Sequence, residues 1–177
     1  MDLKDKLFSF RGRLRRLDWW ACGIALAIVH NVLAYVSGLA WGLDGGILIG
    51  GTAPILGDPW PALAHSVAFS LLFAWPQLAL SAKRAHDRNW PAWPFIAIDV
   101  TGLIAAYLPF GPFAALGGYA TEAHTAALTT LYVAFFFVWI GSTIALGFMD
   151  GTPGPNRFGP SPKSVGRPAF SEPGGMD

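Results

Sequence analysis

The chain has 177 residues, of which 53% are hydrophobic and only 13% are charged, and its net charge is +1. An average soluble domain carries about 25% charged residues, so a soluble globule with the mean hydropathy of this chain, +0.43, would have to expose large apolar patches. The composition therefore disfavours a soluble domain, and the single cysteine, Cys22, excludes an intramolecular disulfide and a cysteine-rich metal site.

Four apolar stretches are long enough to cross a bilayer, since a spanning helix needs about 20 mostly apolar residues. We predict spans at about residues 19–40, 61–82, 92–116 and 126–148. Asp18 is placed to cap the first helix, and Pro61 suits the first turn of the second. Pro109 and Pro112 interrupt the third stretch, so residues 109–119 cross the membrane, kink or lie at its surface.

The twelve Lys and Arg residues all lie in three short segments, at residues 4–16, 83–88 and 157–167. These segments alternate with pairs of predicted spans, and basic residues near spanning helices stay on the cytoplasmic side. We therefore predict an all-α integral membrane protein with four transmembrane helices in one bundle and both termini in the cytoplasm. Residues 1–18 form a basic cytoplasmic segment, residues 19–149 the transmembrane domain, and residues 150–177 a Gly/Pro-rich cytoplasmic tail.

Polar residues on the predicted cytoplasmic side form three motifs, which read Phe10-Arg11-Gly12-Arg13-Leu14-Arg15-Arg16, Arg84-Ala85-His86-Asp87 and Gly151-Thr152-Pro153-Gly154-Pro155-Asn156-Arg157-Phe158-Gly159. In this order they resemble a bacterial inner-membrane family catalogued as domain of unknown function 805, over roughly residues 8–162. The resemblance implies a small four-helix protein of the bacterial inner membrane, and no activity is established for the family. One departure follows Asp87: the family usually has a Thr/Asn-Gly-x-Ser-Gly-like turn, and this chain reads Arg88-Asn89-Trp90-Pro91.

If the four helices form one bundle, the three motifs meet at one membrane face. The candidate cytoplasmic polar cluster comprises Arg13, Arg16, Arg84, His86, Asp87, Asn156 and Arg157. A structural interpretation pairs Asp87 with Arg13 or Arg16 and uses the tail residues as anchors. A functional one is a phosphate or head-group site, since Arg suits bidentate phosphate recognition and His86 could act as a general base. The basic patch is short and lies at the membrane surface, so we expect no nucleic-acid partner.

The candidate intramembrane polar residues are His30, Asn31, Gln77 and Asp99, which fall inside predicted spans. A central Asp costs about 2.5–3.5 kcal/mol on insertion scales, so an ionisable group there is a functional candidate. Asp99 lies roughly 9 Å deep at the rise of a helix, at a depth similar to that of Gln77. Either Asp99 is protonated and hydrogen-bonded to Gln77 or to a Ser or Thr, or it forms a proton or cation pathway with His30. No spacing suits a metal site, and we expect no metal and no cofactor.

These features favour a non-enzymatic membrane component, meaning a scaffold, partner subunit or lipid-contacting factor. One alternative is an oligomeric small-solute or ion transporter or channel that uses Asp99 and His30. Another is a membrane enzyme directed at head groups or phosphate at the cytoplasmic rim. The expected partners are the lipid bilayer, with anionic head groups at its cytoplasmic face, and a membrane-protein partner or a second copy of the chain.

Overall fold

The computed structural model describes residues 2–40, 59–107 and 122–162. These residues form five helices, which are α1 (Leu3–Phe8), α2 (Arg16–Ala40), α3 (Pro59–Asp87), α4 (Trp93–Tyr107) and α5 (Glu122–Gly147). The described residues contain no strand, and the only bridge among them joins Asn156 to Gly159. The prediction of an all-helical fold is therefore confirmed for this part of the chain.

The start of α2 differs from the prediction. Because the Trp19 N–H donates to the carbonyl of Arg15 at 2.9 Å, the helix begins at Arg16 and Asp18 lies in its first turn. The prediction that Asp18 caps this helix is wrong. Its carboxylate instead accepts a hydrogen bond from Lys6 Nζ at 2.8 Å, and its negative charge near the helix N-terminus is favourable to the helix dipole.

The bounds of α3 and the presence of α1 also differ from the prediction. α3 continues past residue 82 to Asp87, so the second sequence motif forms the last turns of a helix. α1 had no counterpart among the predicted helices; Asp2 caps it by accepting from the Asp5 N–H at 2.7 Å. The predicted end of the third span at residue 116 lies outside the described residues, as do residues 41–58, 109–119 and the tail beyond residue 162.

The four long helices alternate in direction, so α2 and α4 begin, and α3 and α5 end, at the same end of the bundle. We call it the basic end because Arg13, Lys83 and Arg84 are buried there. The hydrophobic core lies at this end and is formed by Leu14, Trp19, Leu80, Ala85 and Leu146. Dense packing is therefore concentrated around the charged motifs.

Away from the basic end, the helices expose large apolar side chains, including Ile28 on α2 and Phe137 on α5. α2 and the Thr130–Gly147 part of α5 are long and apolar enough to cross a membrane, whereas the apolar stretch Trp93–Ile104 of α4 is shorter. In the most apolar 18-residue segments of these helices, only 6% of α2 and 11% of α5 is buried. This is too little burial for core helices of a soluble protein. They are two candidate membrane spans.

The turn from α3 to α4 explains how the chain tolerates its departure from the family pattern. Asn89 stands where that pattern has Gly and adopts a left-handed conformation with φ of 60°. The Trp90 N–H donates to the carbonyl of Ala85 and the Asn89 N–H donates to that of His86, both at 3.0 Å. This is a Schellman C-cap, in which Asn is the usual substitute for Gly.

Candidate functional site

Asp87, the last residue of α3, is the acceptor on which two arginines converge. Its carboxylate accepts a hydrogen bond from Arg13 Nε at 3.0 Å, and its other oxygen pairs with Arg84. All three residues are buried, with exposed fractions of 4% for Asp87, 5% for Arg13 and 1% for Arg84. Buried charges require pairing and hydrogen bonds, and two cations on one carboxylate leave one positive charge that other acceptors must stabilise.

Those acceptors include backbone carbonyls at the end of α5. Arg84 Nε donates to the carbonyl of Leu146 at 2.6 Å, and Arg84 Nη2 donates to that of Met149. Arg16 Nη1 donates to the carbonyl of Phe148 at 2.9 Å. The last carbonyls of a helix have no partner within it and form the negative end of its dipole. The arginines therefore stabilise the C-terminal end of α5.

Lys83 likewise donates hydrogen bonds to backbone carbonyls of α1. It is fully buried, and its Nζ donates to the carbonyls of Asp5 and Lys6 in the short helix. The Leu14 N–H in turn donates to the carbonyl of Lys83 at 3.2 Å. Burial lowers the pKa of Lys83 from 10.5 to about 8, and the Asp5 carboxylate opposes part of this change. Lys83 therefore joins the N-terminal segment to α3.

The segment after α5 returns to the end of α3. The Thr152 N–H donates to the carbonyl of Asp87 at 2.8 Å, and Arg13 donates to the carbonyls of Gly154 and Thr152, both at 2.6 Å. Gly151 passes so close to Asp87 that a Cβ there would lie 1.9 Å from the carboxylate. This close contact favours glycine at position 151. Through its bonds to Asp87 and to the two tail carbonyls, the Arg13 guanidinium joins the N-terminal segment, α3 and the tail.

Asn156 orders the tail further along. Its Nδ2 donates to the carbonyl of His86 at 2.9 Å and to the Thr152 hydroxyl at 3.0 Å. Its Oδ1 accepts the Phe158 N–H at 2.9 Å, and its backbone exchanges two hydrogen bonds of 3.0 Å with Gly159. The tail motif is therefore a closed turn fixed to the end of α3.

His86 packs against this turn. Its ring stacks on Phe158 with centroids 3.9 Å apart and planes 13° apart, and its Nδ1 lies 3.3 Å from the carbonyl of Gly12. Burial lowers the pKa of His86; the Gly12 carbonyl opposes this change and the Arg157 cation adds to it. The ring is therefore held by packing on one face and by a backbone contact at Nδ1.

The structure brings most of the predicted cytoplasmic cluster together. Five of its seven residues contact one another at the basic end: Arg13, Arg84, His86, Asp87 and Asn156. Arg16 lies at the exposed edge, 3.8 Å from Asp150. Arg157 is also exposed; its guanidinium lies over the Phe158 ring and donates to the carbonyl of Asn89 at 3.1 Å.

Three contributors to this network were not among the predicted site residues. Thr152 and Gly151 lie in the long tail motif, whose length was the available signal. For Lys83 the sequence offered no signal beyond the charge, because a basic residue at a helix end is equally consistent with an exposed ammonium group near lipid. Its burial depends on α1, which the sequence pattern did not reveal.

A second feature is a cavity of about 490 Å³ between the four long helices. Its lining is mostly apolar but includes His30 of α2, Gln77 of α3 and Asp99 of α4. Asp99 is hydrogen-bonded to Ser81, while its Oδ2 is buried without a hydrogen-bond partner among the described residues. Three of the four predicted intramembrane polar residues therefore surround one space.

The fourth, Asn31, does not line the cavity; its Nδ2 donates to the carbonyl of Ala27 on its own helix at 2.7 Å. His65 is buried on α3 and lies 2.7 Å from the Ser37 hydroxyl, which joins α3 to α2 away from the cavity. Within residues 2–40, 59–107 and 122–162, no group of three or more His, Cys, Asp or Glu could hold a metal ion.

The described residues thus define an all-helical protein with two candidate membrane spans and a buried arginine–aspartate network at one end. The chain belongs to the family described as Protein of unknown function (DUF805), whose model matches residues 7–160 and so includes all three motifs. It is similar to "Uncharacterized protein YiiR" of Escherichia coli strain K12, with 28% identity over 167 residues and 93% of each chain covered. The protein of that name from Escherichia coli O157:H7 matches equally. No solved structure matches.

Proposed function

We propose that this protein crosses the bacterial inner membrane four times, with both termini in the cytoplasm. The alternating helix directions support four crossings, and the exposed apolar side chains away from the basic end would contact lipid. The orientation is supported by the Lys and Arg residues, which occur only in segments near the basic end or in the tail. On this proposal the basic end lies at the cytoplasmic surface.

Reporter fusions test this topology. Alkaline phosphatase, which is active only outside the cytoplasm, should be active when fused within residues 41–58 and inactive after residue 162. Green fluorescent protein should fluoresce when fused after residue 162. Active phosphatase at that C-terminal position, or inactive phosphatase within residues 41–58, would contradict the proposed orientation.

Within that topology we propose a non-enzymatic membrane component that supports a partner protein or contacts lipid. The observation that carries this proposal is the use of the buried cations: Arg13, Lys83 and Arg84 donate to Asp87 and to backbone carbonyls of the same chain. A head-group or phosphate enzyme would need such donors free for its substrate. The exposed Arg11 and Lys4 remain suited to anionic lipid.

The interpretation of His86 as a general base is also weakened. Its ring stacks on Phe158 and its Nδ1 faces the Gly12 carbonyl, which are contacts of a packing residue. The neighbouring Asp87 binds arginines rather than His86, so these two residues do not form a dyad.

Native mass spectrometry tests the proposed component role. The protein would be extracted from native membranes in polymer-bounded lipid discs, which retain weak partners. A discrete complex with another membrane protein, or a fixed number of anionic lipids, is the expected result. A bare monomer with only exchangeable bulk lipid, from discs and mild detergent alike, would contradict it.

A second candidate is an oligomeric small-solute or ion transporter, and the cavity at Asp99 favours it. Four spans enclose only a narrow pathway, and its polar lining includes His30, Gln77 and Asp99. In proteoliposomes, Asp99→Asn should abolish solute flux while the helical content stays unchanged. Unchanged flux would remove Asp99 from the pathway.

A further inference from the structure

The cavity between the long helices has the dimensions of a ligand site. Its volume of about 490 Å³ lies within the range of about 300–1,000 Å³ that is usual for small-molecule pockets. All four long helices contribute to the wall, which includes Gly23 of α2, where an added Cβ would meet nothing within 4 Å. A mostly apolar pocket with a few converging polar groups is the usual form of such a site.

The described wall of the cavity contains an acidic side chain and no lysine or arginine. The wall includes the Asp99 carboxyl, whose Oδ2 has no hydrogen-bond partner among the described residues. The chain has no Lys or Arg at residues 17–82 or 89–156, and the nearby Lys83 and Arg84 donate to α1 and to the basic end instead. An ionisable group at membrane depth faces a cavity and pairs with another group. Ser81 is a hydrogen-bond partner of Asp99, but within the part of the chain that the structure describes no lysine or arginine lines the cavity as a counter-ion.

Aromatic rings form much of the remaining wall. Phe73, Phe135 and Trp139 line the cavity, and His30 packs edge-on against Phe73 with centroids 5.1 Å apart. Aromatic faces attract organic cations, Trp most strongly, and the attraction increases when the cation is desolvated. A hydrated metal ion would instead need several oxygen ligands, and within the described chain no cluster provides them.

We propose that this cavity binds an organic cation with an apolar body, such as a protonated hydrophobic amine, with Asp99 as its counter-ion. The apolar body contacts Phe135 and Trp139 while the cationic centre lies beside Asp99 Oδ2. This inference names the solute class for the second candidate function, on which it rests for its biological purpose. Binding itself does not require transport.

A pair of ions of the same shape and opposite charge tests the proposal. The protein in lipid nanodiscs would be titrated with tetraphenylphosphonium and, separately, with tetraphenylborate, and binding to empty nanodiscs would be subtracted. We expect saturable binding of one tetraphenylphosphonium per chain and no saturable binding of tetraphenylborate. Asp99→Asn should weaken tetraphenylphosphonium binding by about ten-fold or more, since it removes an opposite charge in a poorly screened site. Equal binding of the two ions, or an unchanged affinity in Asp99→Asn, would overturn the proposal.

Three further variants keep the test decisive if Asp99→Asn does not fold. Trp139→Leu removes a cavity wall and should weaken tetraphenylphosphonium binding several-fold, whereas Trp75→Leu, an exposed tryptophan outside the cavity, should not. Asp150→Asn, at the exposed edge of the basic end, is the control for loss of a carboxylate. Saturable binding without flux in proteoliposomes would support the ligand site and reject the transporter; no binding to the folded protein would reject the ligand site.

Discussion

The substitution Asp87→Asn tests the basic end most directly, because it removes the one carboxylate that two buried arginines share. Asn has nearly the same shape, so packing is preserved and the main change is electrostatic. The side chains of Arg13 and Arg84 are each only 1% exposed. Neither guanidinium can reach water unless the packing at the basic end opens.

The expected loss follows from this burial. Removing one partner from a buried ion pair costs about 3–5 kcal/mol, because the remaining charge is left uncompensated. Arg13 and Arg84 keep their backbone carbonyl acceptors in the variant, which favours the lower part of this range. They also face each other without the intervening negative charge, which opposes that relief. We therefore expect Asp87→Asn to lower the free energy of unfolding by about 3 kcal/mol or more.

SDS titration of the protein in mixed micelles measures this change, with far-UV circular dichroism reporting helix content and fluorescence reporting the average environment of the eight tryptophans. The matched control is Asp150→Asn. Asp150 lies 3.8 Å from Arg16, and their side chains are 70% and 50% exposed, so its loss should cost no more than about 1 kcal/mol. If Asp87→Asn is no more destabilising than Asp150→Asn, the arginine–aspartate network does not hold the basic end together.

Three further results are expected. Gly151→Ala should destabilise the protein by about 1–3 kcal/mol, because its methyl group would lie 1.9 Å from a buried carboxylate oxygen; Gly141→Ala, which has no neighbour within 4 Å, should be neutral or stabilising in the same SDS titration. The free energy of unfolding should rise between about pH 8 and pH 10.5, because folding lowers the pKa of Lys83 to about 8 and the unfolded chain then binds more protons in that window. This rise should be smaller in Lys83→Met, and identical pH profiles in the variant and the original protein would contradict the role of Lys83. His86→Phe should keep the stack on Phe158, whereas His86→Ala should loosen the tail by about 0.5–1.5 kcal/mol; hydrogen exchange of the tail amides measures the difference, and equal protection in both variants would argue against the stack.

The helical class could be read from the sequence because long apolar stretches separated by short basic segments leave few other folds. The pairing of Asp87 with an arginine could also be predicted. The choice between Arg13 and Arg16 was not, because it depends on where α2 begins. Since the helix starts at Arg16, Arg13 lies in the preceding segment and reaches α3, whereas Arg16 is directed to the end of α5. Helix boundaries are the least certain part of any pattern analysis.

α1 and the role of Lys83 show a different limit. A six-residue helix is too short to be stable alone, so nothing local in residues 3–8 predicts it. It forms where Asp2 caps its N-terminus and Lys83 Nζ donates to a carbonyl near its C-terminus. The cavity was inaccessible for a similar reason: the residues Gln77 and Asp99 could be placed at a similar depth, but the space between them depends on how four helices pack.

The arrangement at the basic end also determines when the protein can finish folding during synthesis. Arg13 is made before the four long helices, and one of its acceptors, the carbonyl of Gly154, follows 141 residues later. A nascent chain that has just completed α5 has all the helices that the structure describes, yet Arg13 still lacks its tail acceptors and Asp87 lacks the Thr152 contacts. Closure of the basic end therefore requires the tail turn, and a chain that stops before residue 152 has the five described helices but not the contacts that join the N-terminal segment to the tail.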